Sequence, residues 1–164
     1  MKRLMLMICM LLSVTAFSQT YKLGDVIKQD NVTVGAIFLI DNSVTGQTTY
    51  WVSCGQVIPN RMTYAAAVKY VKTLSYGGYT DWQLPNTYQL TVFKTIFLQN
   101  YAQWWNHGIQ YSQPNGMPTM TSDVLIWQGY YLYAVYGIGL YSGMAGYLDV
   151  NLGLNLIPVR KLTK

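Results

Sequence analysis

The apolar positions between residues 21 and 56 recur at the spacing of strands. Tyr21 to Ile27 alternates briefly, which predicts an edge strand, and Lys28 to Asn31 is turn-forming. Val34 to Ile40 is a continuous apolar run of strand length, as a central strand requires. Asp41 to Gln47 is polar and predicts a hairpin loop. Beyond it Thr48, Tyr50, Val52 and Cys54 alternate with Thr49, Trp51 and Ser53, completing a hairpin. The period then changes to that of a helix. Thr63 is a good N-cap for a helix to about Leu74, with Tyr64, Ala67, Val68, Val71 and Leu74 on one stripe and Lys69 and Lys72 off it. A second helix starts at the cap Asn86, with Gln89 placed to close a capping box and Leu90, Phe93 and Phe97 on its apolar face.

From about Asn100 to Pro118 this periodicity fades, which predicts a long loop, and long loops in compact domains are often binding loops. The last third reads as antiparallel strands over Tyr130 to Tyr136, Tyr147 to Leu152 and Leu156 to Leu162. Glycines at 129, 137, 139, 143, 146 and 153 mark turns or bulges between them. No Gly-rich run leads from a strand into a helix, so a phosphate cradle is not expected. The pattern as a whole predicts an α+β fold, two helices packed on antiparallel sheets.

The two helices are separated by Gly77-Gly78-Tyr79-Thr80-Asp81-Trp82-Gln83-Leu84-Pro85-Asn86. The glycines can take the positive φ that ends a helix, Pro85 holds Leu84 extended, and Asn86 caps the second helix. Trp82 and Leu84, two residues apart, are directed into the core by an extended backbone. Asp81 is expected to lock the turn by accepting nearby backbone N–H groups.

The run Gly78-x-x-Asp81-Trp82-x-Leu84-Pro85, after a helix beginning Met62-Thr63-Tyr64 with Ala66 and Ala67 in it, resembles the signature of a bacterial surface domain. That family is the Lcl C-terminal-like domain, found at the C-terminus of a Legionella collagen-like adhesin and in many small secreted proteins. The resemblance extends from Tyr21-Lys22-Leu23-Gly24-Asp25 to Pro158-Val159-Arg160. It implies a fold related to C-type lectins and formylglycine-generating enzymes, and adhesion through sulfated polysaccharide in one branch. The chain departs from the family pattern in having Gln83 where Arg is usual and Gln89 where Glu is common, so an Arg–Glu pair becomes two amides. Thr119-Met120-Thr121-Ser122 stands where the family has Tyr-Trp-Ser-Ser, and Ile157 replaces the penultimate Arg.

Composition narrows the chemistry. Lys2 and Arg3, the apolar run Leu4 to Val14 and the small residues before Gln19 read as a secretory signal peptide over residues 1–18, leaving a single domain over 19–164. The apolar run is too short to span a bilayer comfortably. Cys9 falls inside the apolar run, so Cys54 is the one thiol expected in the exported chain, as a small buried hydrophobe. Of eleven Lys and Arg, nine lie beyond the leader, against six acids, a net charge of +3. All six acids are aspartate, scattered through predicted turns and strand ends. That disfavours the paired carboxyls of a glycosidase, and one His and one thiol disfavour a zinc site. The calcium-linked sugar site of C-type lectins and the paired cysteines of formylglycine chemistry are missing too. No enzyme activity, cofactor, metal or nucleic-acid partner is expected.

What remains is a secreted, periplasmic or cell-surface recognition domain, with aromatic residues at 15% of the chain against 10% charged. Tyr and Trp match the apolar face and hydroxyl edge of sugar rings. The expected ligand-binding residues are Trp104, Trp105, His107 and Tyr111 in the long loop, with Arg61, Lys69, Lys72, Arg160 and Lys161 as contacts for an anionic glycan. The alternative is a structural subunit of a surface or matrix assembly, including a homo-oligomer.

Overall fold

A computed structural model describes residues 20–56, 58, 60–109, 111, 118–127, 132–140 and 145–163. The expected signal peptide, with Cys9, and the loop residues Pro114, Asn115 and Gly116 lie outside the described residues. The architecture is α+β, two helices and two antiparallel sheets. β1 (Val26–Gln29), β2 (Val32–Asp41), β3 (Thr49–Cys54) and β7 (Val159–Thr163) form a four-stranded sheet in that order. β4 (Thr119–Trp127), β5 (Leu132–Ile138) and β6 (Ala145–Asp149) form a three-stranded one. The helices are α1 (Tyr64–Thr73) and α2 (Thr87–Asn106). No described helix is long and apolar enough to cross a membrane.

β2 reads as unbroken apolar because both of its faces are covered. Ala36 and Phe38 pack with Leu90, Phe93, Phe97 and Trp104 of α2, while Val34 and Ile37 join Tyr50, Val52, Cys54, Leu74 and Trp82 on the other face. β1 starts later than the alternation predicts. Lys22 N–H donates to Asp25 Oδ2 at 2.7 Å, and this turn meets β2 through Gly24 N–H to the Ile37 carbonyl and Ile37 N–H to the Asp25 carbonyl, both at 2.8 Å, before regular pairing starts at Val26. β1 and β2 are joined through Asp30 and Asn31, both at positive φ (49° and 65°), as tight hairpin turns demand.

Both helix starts form as the sequence predicts. Thr63 Oγ1 accepts from Ala66 N–H, and Asn86 with Gln89 closes the capping box in both directions. The end of α2 does not, because the helix runs to Asn106 and includes Asn100–Asn106, the first part of the expected loop. Burial decides it: Leu90, Phe93, Phe97 and Trp104 recur at helical steps, and Trp104 is fully buried. The stop is a Schellman motif. Gly108, at φ +77°, donates to the Trp105 carbonyl and Ile109 N–H to the Trp104 carbonyl, both at 3.0 Å, with Ile109 packed in the same cluster as Trp104.

The two sheets are tied together at the corner. Gln83 forms a two-way backbone bridge with Val159 at 2.8 Å each way, so the corner extends the outer edge of β7. Ser122 N–H of β4 donates to the Pro85 carbonyl at 2.7 Å. β4 changes register between Met120 and Val124, and such an irregularity re-aims a side chain. Here it brings Asp123 onto the start of α2. Its Oδ2 accepts the Thr87 N–H at 2.7 Å and the Thr87 hydroxyl, supplying the negative charge that the helix's own first turn lacks.

Candidate functional site

Beside the corner, a cleft of ≈ 440 Å³ is lined by residues from five segments of the chain. α1 contributes Tyr64, Val68, Val71 and Lys72, one face at steps of four, three and one. The corner adds Trp82, Gln83 and Leu84, the first turn of α2 adds Asn86 and Gln89, and Trp51 and Ser122 come from β3 and β4. The volume falls within the range of small-molecule sites. Val68, Val71, Trp82 and Leu84 make the lining largely apolar, and polar groups punctuate it.

Those polar groups are held in place by backbone structure. Asn86 Oδ1 accepts Gln89 N–H at 2.8 Å and Gln89 Oε1 accepts Asn86 N–H at 3.0 Å, fixing both amides. Tyr64 Oη donates to the Ser122 carbonyl at 3.2 Å, which leaves its oxygen as an acceptor. The Gln83 backbone is pinned to Val159 while its side chain is exposed. The Trp51 indole N–H, the Gln83 amide and the Lys72 ammonium make no hydrogen bond to another described residue. Lys72 is the one charged side chain in the lining, which contains no carboxylate, thiol or imidazole. Among the described residues no group of three or more His, Cys, Asp or Glu side chains converges as a metal site would.

The residues expected in a binding loop are not brought together on one surface. Trp104 is fully buried, with its indole N–H donating to the Gly24 carbonyl at 2.8 Å. Tyr111 is buried as well. Its hydroxyl donates to Ser53 Oγ at 2.7 Å, its ring stands edge-on to Phe93 at 5.0 Å, and burial pushes its phenol above the ordinary range. Both are core residues, so neither offers a face to a ligand. Trp105 and His107 are exposed, and the His107 carbonyl accepts the Thr33 hydroxyl at 3.0 Å. Trp105 follows Gln89 by sixteen positions, roughly 24 Å along the helix, so it is not part of the cleft.

The anionic-contact set divides in the same way. Arg61, Lys69, Lys72 and Lys161 are exposed, and of these Lys72 lines the cleft. Arg160 is 7% exposed and paired with Asp81, so it is a structural cation and not a free contact. The same pair corrects the reading of Asp81, whose carboxylate serves Arg160 and not the local backbone. Trp82 and Leu84 are both buried, in separate clusters. Cys54 is a buried free thiol, and burial pushes it up to about 12, far from a nucleophile's range.

Reasoning from sequence favours the long loop and passes over Trp51, Tyr64, Gln83, Asn86 and Gln89 as site residues. The available signal is the corner itself, since a stretch that ends one helix and starts another leaves amide-bearing cap residues at a junction of elements. Gly108 followed by apolar Ile109 likewise marks the true end of α2. No protein-family model matches the chain, and no curated protein matches it.

Proposed function

We propose that this protein is an exported, non-enzymatic recognition domain that binds carbohydrate in the cleft beside the Asp81-Trp82-x-Leu84-Pro85 corner. One observation carries the reading: an apolar-walled cleft edged by an indole, a phenol and three amides, with donors at Trp51, Gln83 and Lys72 that make no hydrogen bond to another described residue. A sugar ring pairs an apolar face with a rim of hydroxyls, and such a lining meets both. The resemblance to the C-terminal domain of the collagen-like adhesin, with a C-type-lectin-like arrangement of the two helices and sheets, points the same way. The two amides that replace that family's Arg and Glu, Gln83 and Gln89, both line this cleft, which favours a neutral glycan over a sulfated one.

The test is a panel of neutral and sulfated glycans presented to the wild-type protein and to Gln83→Ala, Lys72→Ala and Trp51→Phe. Binding to neutral glycans that Gln83→Ala weakens and added salt leaves unchanged is the expected outcome. Absence of binding across the panel, or binding untouched by all three substitutions, overturns the assignment.

A further inference from the structure

The outer face of α2 carries a surface that the core does not use. Tyr88, Thr91, Thr95, Leu98, Ala102 and Trp105 are all exposed and succeed one another at steps of three and four residues, the spacing of a seam between packed helices. The stripe spans roughly 26 Å. At its C-terminal end the Tyr101 ring lies against Trp105, centroids 5.8 Å apart, and broadens the apolar surface. The threonines do not need water to satisfy their hydroxyls, since Thr91 Oγ1 donates to the Thr87 carbonyl at 2.8 Å and Thr95 Oγ1 to the Thr91 carbonyl at 3.4 Å. Burying them therefore leaves no donor unpaired.

We propose that this stripe is a homodimer interface, with α2 of one copy packed antiparallel on α2 of a second copy. Three features select a second copy as the occupant. Lys94, part-buried, is the one ionic side chain in Thr87–Asn106, so self-pairing brings little like-charge repulsion and offers little to an oppositely charged partner. A lipid surface is disfavoured by the same lack of flanking basic residues. An antiparallel twofold axis also returns the stripe onto itself, aromatic against aromatic at its two ends. Antiparallel packing sets Tyr88 opposite Trp105, Thr91 opposite Ala102 and Thr95 opposite Leu98 of the other copy, and it opposes the two macrodipoles.

The area suits a weak, reversible contact. Tyr88 is 64% exposed, Tyr101 41%, Trp105 48% and Leu98 50%. With aromatic side chains of ~150–250 Å², these four offer on the order of 400 Å² per copy. With the threonines and Ala102, two copies approach roughly 1,000 Å², the lower bound for a specific interface and the range of weak, transient ones.

Sedimentation equilibrium of the purified protein across the micromolar range reads the outcome directly. A reversible dimer is expected, and Leu98→Glu should weaken it by more than about thirtyfold while leaving far- and near-ultraviolet circular dichroism unchanged. Adding Thr95→Lys to Leu98→Glu should restore the dimer in a salt-sensitive form, because the antiparallel register sets position 95 against position 98. A monomer at every concentration, a dimer indifferent to both Leu98→Glu and Trp105→Ser, or a double variant that stays monomeric overturns the proposal. So does a monomer that binds lipid vesicles through the stripe.

Discussion

Arg160 donates from Nε to Oδ1 of Asp81 at 2.8 Å and from Nη2 to Oδ2 at 3.1 Å, across 79 positions of sequence. The guanidinium also lies 3.6 Å from the centroid of the Tyr79 ring. β7 thereby clamps the corner twice, by this fork and by the Gln83–Val159 bridge, and the corner in turn sets the wall of the cleft. Removing Asp81 leaves a buried cation without its partner. Asp81→Ala should cost about 1–3 kcal/mol in urea unfolding, less than a fully buried pair because the Asp81 side chain is 54% exposed. Arg160→Lys should not retain full stability, since an ammonium reproduces neither the two parallel hydrogen bonds nor the planar stacking.

Gly77 sits at φ +60°, and a Cβ built there would lie 2.8 Å from Cγ2 of Val34, a fully buried core residue. Gly46, at φ +77°, has nothing within 4 Å of such a Cβ. Gly46→Ala should therefore cost about 1 kcal/mol of backbone strain alone. Gly77→Ala adds overpacking to that strain and should cost about 2–4 kcal/mol, measured as a shift in the urea midpoint at constant slope.

Trp104 fills the centre of the α2 core and ties it to the Gly24 carbonyl. Trp104→Ala should lose about 3–5 kcal/mol, and Trp104→Phe somewhat less, the indole hydrogen bond contributing about 1 kcal/mol. Where the Phe variant remains folded, glycan binding at the cleft should be unchanged. A selective loss of binding without loss of stability would return Trp104 to the recognition surface.

Alkaline pH should weaken the fold through Cys54. Burial raises its thiol from the ordinary 9.0 to about 12, so the unfolded chain gives up the proton first. Stability is complete below about pH 9 and falls as pH climbs toward 12, by on the order of 1 kcal/mol per pH unit. Tyr111, also raised by burial, adds to the fall at higher pH. Denaturant titrations at pH 8, 9 and 10 should show the decline between pH 9 and 10, and Cys54→Ala should flatten it.

The sequence by itself determined the elements whose signals are local. The caps at Thr63 and Asn86, the apolar run of β2 and the breakers between the helices act through neighbours a few residues away, so their outcome is written in a short window. The tertiary structure decided that Asn100–Asn106 continue α2, because the burial of Trp104 by β2 and by the Gly24 segment outweighs weak local helix preference, whereas the stop at Gly108 and Ile109 is local. It likewise decided that Asp81 answers to Arg160 and Thr87 to Asp123, pairings between elements far apart in the chain. The cleft is of the same kind: it draws on two helices, two strands and a corner, and concavity arises only when separated surfaces meet.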